Sequence, residues 1–72
     1  MPSYSVHASR RMRERNITED DVITALNHQT GPPAPGDNGH IVKFGYCGAR
    51  ILKVVLTADE QVVITVMVVG EG

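Results

Sequence analysis

The hydrophobic pattern changes period near the middle of the chain. In the first third, apolar positions recur at helical spacing. Ala8 and Met12 stand one turn apart, and Val22, Ile23, Ala25 and Leu26 form one face of a second segment. Ser5 precedes the first segment and Thr18 the second, and both side chains can accept from the free N–H groups of a first helical turn. Asn16 between them suits the left-handed backbone that ends a helix. Glu19, Asp20 and Asp21 put negative charge where the second helix dipole favours it. The pattern predicts helices over residues 5–15 and 19–28, after a short lead-in at residues 1–4.

Residues 30–39 carry three prolines and three glycines, a composition that predicts a loop without regular structure. From His40 onward the period shortens. Residues 40–46, 50–57 and 61–69 are rich in β-branched side chains and read as three strands, joined by links short enough for hairpins. Strict alternation then assigns faces. Val42, Phe44 and Tyr46 are expected to face the helices, with Leu52, Val54 and Leu56 and with Val62, Ile64, Val66 and Val68. The other face receives Ile41, Lys43, Ile51, Lys53, Val55, Val63, Thr65, Met67 and Val69. The expected fold is α+β: two N-terminal helices packed on a three-stranded, at most four-stranded, antiparallel meander.

Composition narrows the picture. Seventy-two residues give one domain with a thin core, which a partner or a second copy would help to stabilise. The lone Cys47 excludes an internal disulfide framework and a cysteine-rich zinc site. No apolar run approaches the roughly 20 residues of a membrane helix, and no apolar signal core follows Met1, so a soluble cytoplasmic protein without membrane association is expected. The net charge of −1 argues against strong non-specific nucleic-acid binding. Its distribution is uneven, however: Arg10, Arg11, Arg13 and Arg15 precede the acidic Glu19, Asp20 and Asp21.

The run from His7 to Thr18 (HASRRMRERNIT) resembles the signature of a small bacterial domain family of uncharacterised function, approximately H-A-x-x-R-M-x-x-R-G-I-T and then an acidic residue and Val. His7, Ala8, Arg11, Met12, Arg15, Ile17 and Thr18 match it, and Asp21 and Val22 supply the closing pair. Asn16 stands where the family has Gly, and both tolerate a left-handed backbone. Ile64, Thr65 and Val66 are similar to the family's closing strand. That family is grouped with the RelE/ParE-like toxins. The resemblance implies a RelE-like fold and metal-independent RNA cleavage by the toxin of a toxin–antitoxin pair. It implies RNA or the ribosome as target, a cognate antitoxin as partner, and no cofactor.

The residues permit such chemistry. His7, Arg11 and Arg15 fall on one helical face, since side chains four apart stack. An imidazole there can take a 2′-hydroxyl proton or protonate the leaving 5′-oxygen, while guanidinium groups hold the scissile phosphate. The alternative is structural: His7 bonds to backbone or to a strand, and Arg11 and Arg15 pair with Glu14, Glu19 or Asp20 to clamp the helices. Lys43, Lys53 and Thr65 form a candidate substrate-binding set on the sheet. The alternative is that the lysines keep that face soluble and discourage edge pairing. The apolar residues beside them point to a protein partner or a homodimer. His28 and His40 flank the loop, but with His7 they match no zinc spacing, so no metal site is expected. Cys47, in an expected turn without a neighbouring His motif, is not read as a nucleophile. Three readings stand side by side: an endoribonuclease toxin, a non-catalytic binding module of the same fold, and a structural domain that dimerises and carries no chemistry.

Overall fold

The computed structural model describes residues 2–71. Its elements are β1 (Ser3–Tyr4), α1 (Val6–Glu14), α2 (Glu19–Asn27), β2 (Ala34–Pro35), a 3-10 turn (Asp37–Gly39), β3 (Ile41–Cys47), β4 (Arg50–Leu56) and β5 (Val62–Glu71). The strands form one five-stranded sheet in the order β1-β5-β4-β3-β2. Both helices cover one face, α1 over β5 and α2 over β3 and β4. The fold is α+β.

Both helices start where capping chemistry puts them. The Ser5 hydroxyl accepts from the Ala8 N–H at 3.0 Å and donates to the Ile64 carbonyl at 2.9 Å, so one side chain caps α1 and ties it to β5. Thr18 and Asp21 form a reciprocal capping box at the start of α2, with bonds of 2.9 and 3.1 Å. Asn16 takes a φ of 55° between the helices, and the Ile17 N–H closes α1 by donating to the Met12 carbonyl at 2.8 Å.

The sheet differs from the expected meander in three ways. First, Ser3 and Tyr4 are not a lead-in but a strand, parallel to β5 at Val62 and Val63, which makes the sheet five-stranded and mixed. Two residues carry too little pattern for alternation to register. Second, residues 30–39 hold β2 and the 3-10 turn. Ala34 pairs with Val42 and Pro35 with Ile41, at a sheet edge where proline's missing N–H is tolerated.

Third, the faces are partly exchanged. On β3 it is Ile41, Lys43, Gly45 and Cys47 that share a face with Leu52, Val54 and Leu56, while Val42, Phe44 and Tyr46 point away from the helices. The cause is close packing: a Cβ added at Gly45 would stand 1.8 Å from the Ala25 carbonyl oxygen, so α2 rests directly on strand backbone. On β5, register shifts opposite Val55/Leu56 and Ile51/Leu52 leave Ile64 and Val69 without direct partners. Each extra residue reverses the alternation. Val63 therefore joins the core, and Ile64 turns to the open face.

The resulting core contains Ala8, Met12, Ile17, Val22 and Ala25 from the helical half and Leu52, Val54, Leu56, Val63 and Val66 from the sheet. Among the described residues no helix is long and apolar enough to cross a membrane.

Candidate functional site

The helix-free face of the sheet carries aligned rows. Val42, Val55 and Thr65 lie side by side across three strands, and Phe44, Lys53 and Met67 form the next row. Tyr46 and Ile51 continue the face beyond them. Over the first row folds the 34–40 segment, held by the β2 pairing and by the Gly36 N–H donating to the His40 carbonyl at 2.8 Å. Asn38 and Gly39, at φ of 56° and 76°, make the reversal.

Strap and sheet together enclose a cleft of about 540 Å³. Its floor is Val42, Phe44, Val55 and Ile64. Lys53 and Thr65 join the lining from the sheet, and Asp37 and His40 from the strap. This volume lies in the range of ordinary ligand pockets, and an apolar floor with a few polar groups at its rim is the usual lining of one. A side chain inserted here meets an aromatic ring, a cation and a hydroxyl.

The sequence-derived candidates do not converge. His7 and Arg11 are exposed on α1 and Arg15 at its C-cap, on the helix side of the sheet. Arg11 and Arg15 border a shallow groove of about 100 Å³ with Val66, Met67 and Val68. Neither arginine makes an ion pair among the described residues, so the expected pairing with Glu14, Glu19 or Asp20 is not what holds the helices. Lys53 and Thr65 line the cleft on the opposite face. Lys43, expected beside them, lies on the helix face and pairs with Glu60 in the β4–β5 turn. The correction follows from the exchanged alternation of β3. General acid–base catalysis needs its groups within hydrogen-bond reach of one reacting centre. Here the histidine and the proposed substrate groups are separated by the sheet.

The clamp between helices and sheet is Arg50, a residue the sequence did not single out. Its guanidinium donates to the Arg15 carbonyl at 3.3 Å and the Asn16 carbonyl at 3.5 Å, and it lies 3.4 Å from Asp21 Oδ2. The Cys47 thiol donates to Asp21 Oδ1 at 3.4 Å. Asp21 is held below the ordinary carboxylate value first by its backbone bond from Thr18, then by Cys47, the Thr18 hydroxyl and Arg50. Burial and the neighbouring carboxylate push the Cys47 thiol up, away from the thiolate a nucleophile needs. No sequence signal marks this cluster, because its members come from α2, β3 and β4. Among the described residues no three His, Cys, Asp or Glu side chains gather into a metal-binding group.

No curated protein and no solved structure matches the chain. A family model does match, over residues 4–68, which takes in both helices, β2, β3 and β4 whole and most of β5. The chain belongs to the family described as a domain of unknown function, DUF4258.

Proposed function

We propose that this chain is a non-catalytic binding module of RelE-like build, seating a protein partner on the helix-free face of its sheet. The observation that carries the reading is the cleft beneath the 34–40 strap, where Phe44, Val55 and Ile64 present apolar surface beside Lys53 and Thr65. A buried apolar or aromatic anchor ringed by polar contacts is how protein interfaces concentrate their binding energy. The partner places such an anchor on the Phe44 floor. The separation of His7 from Lys53 and Thr65 by the sheet favours binding over cleavage, and the net charge of −1 points the same way. A cognate antitoxin-like protein is the natural candidate partner under the RelE-like resemblance.

The test is expression in bacterial cells with RNA integrity and complex formation measured together. Wild type is expected to leave RNA intact and to form a complex with the protein encoded beside it. His7→Ala should keep the complex, and Phe44→Glu should lose it while remaining folded. RNA fragmentation by wild type that disappears in His7→Ala would overturn the reading in favour of an endoribonuclease.

A further inference from the structure

The two edges of the sheet are treated differently. Along β3 the outer edge is closed. The Tyr46 N–H donates to the His28 carbonyl and the Thr30 N–H to the Phe44 carbonyl, both at 2.9 Å, Gln29 bridges to Gly45, and β2 covers Ile41 and Val42. Along β5 the two residues of β1 pair only with Val62 and Val63, and the Ser5 hydroxyl bonds the Ile64 carbonyl. Beyond that point no described strand lies on the outer side of the ten-residue β5, whose inner side pairs with β4.

The open stretch is uncharged from Thr65 to Gly70 and apolar over Val66–Val69, with Met67 47% and Val69 48% exposed. Sheet proteins ordinarily protect such an edge with lysine, proline or a covering segment. What stands beside this one is α1. The groove there is lined by Arg11, Arg15 and three consecutive β5 residues, Val66, Met67 and Val68. The groove follows β5 over these three residues, within the stretch that β1 leaves uncovered. Two arginines without ion-pair partners among the described residues therefore stand beside the open stretch of β5.

We infer that the β5 edge is a docking site for an extended acidic segment of another protein, which adds to the sheet as a sixth strand. Main-chain bonds supply affinity in such strand addition, and alternate side chains supply specificity. Residues of the incoming strand on the helix side carry carboxylates that meet Arg11 and Arg15. Those on the other side are apolar and extend the surface of Met67. A second copy of this chain is the wrong occupant. Antiparallel pairing of two β5 strands about a two-fold axis puts both α1 helices on one face, bringing four arginines together across the seam. Like charges so placed repel. The inference rests on the edge and the arginines, and stands apart from the cleft on the open face.

The experiment uses the whole chain and two labelled seven-residue peptides, one alternating valine with glutamate and one alternating valine with lysine. The valine–glutamate peptide is expected to bind, shifting the amide resonances of residues 65–70. The lysine peptide should bind about tenfold more weakly, the size of two exposed charge pairs. Arg11→Glu with Arg15→Glu should reverse the preference. A glutamate peptide with a central proline should bind more weakly, because proline removes a ladder donor. The inference is overturned by equal affinity for both peptides, by no binding at roughly millimolar concentration, or by amide shifts centred on Phe44 and His40. A β5-paired homodimer in solution overturns it as well. Tight binding of a short single-stranded RNA by the Arg11–Arg15 stripe, with the residue 65–70 amides unmoved, assigns the arginines to nucleic acid instead.

Discussion

The two faces of this sheet are built from similar side chains and do different work. On the helix side, Leu52, Val54, Leu56, Val63 and Val66 are buried against α1 and α2. On the other side, Phe44, Val55 and Ile64 are only half-buried, and Met67 and Tyr46 are exposed. Apolar area removed from water stabilises the fold by roughly 25 cal/mol per Å². The helix side therefore carries the stability, and the open side retains apolar surface that the proposed partner would cover.

Substitutions on the two faces should separate accordingly. The largest loss is expected from Leu52→Ala, which leaves a cavity at a fully buried position and should cost about 2–5 kcal/mol in denaturant unfolding. Gly45→Ala should follow at about 3 kcal/mol, because the new methyl group collides with the Ala25 carbonyl and lifts α2 from the sheet. A Gly45→Ala protein of wild-type stability would remove the explanation given for the exchanged face of β3.

Asp21→Ala should cost about 1–2 kcal/mol, since it removes half of the capping box and the partner of Arg50. The same group sets an acid limb. Its folded-state value is depressed, so its contribution is present above the unfolded value and is lost as pH falls through the lower folded one. Stability should hold from neutrality down to about pH 4 and then fall. Asp21→Asn should flatten that fall. An unchanged acid limb would mean that another carboxylate, Asp59 in the β4–β5 turn first, carries it.

On the open face, Phe44→Glu should cost only about 1 kcal/mol of stability while abolishing partner binding. Loss of folding there would dissolve the contrast between the faces. The smallest effect is expected at Tyr4. Its hydroxyl is buried without a hydrogen-bond partner among the described residues, and burial, with Glu19 and Asp20 nearby, pushes its pKa up and keeps the phenol protonated. Tyr4→Phe should be neutral or stabilising by up to about 1 kcal/mol.

Much of the architecture was legible in the sequence. Ser5, Thr18 and Asn16 marked helix boundaries through capping and left-handed backbone, and these signals are local. β-branched runs marked β3, β4 and β5 for the same reason. The face assignment failed where it depended on contacts distant in sequence. Gly45 lies under α2 because Ala25 approaches it, and the reversal at Ile64 is a register shift against β4. Neither leaves a mark in the alternation of a single strand. The aromatic row Val42, Phe44 and Tyr46 looked like core because it is the more apolar row. It covers the open face instead. Of the candidate site, Lys53 and Thr65 were placed together by alternation and do line one cleft, whereas Lys43 followed β3 to the other side. His40 and Asp37 reach the cleft only through the fold of the strap, and Arg50 reaches Asp21 only through the hairpin end.

The claim that the open face is the working surface is tested most directly by hydroxyl-radical footprinting of the chain in intact cells against the isolated protein. Phe44, Tyr46 and Met67 should lose reactivity in cells, while His7 stays reactive and the buried Met12 is unreactive in both states. Unchanged reactivity at Phe44, Tyr46 and Met67 with protection confined to His7 would contradict the account and move function to α1.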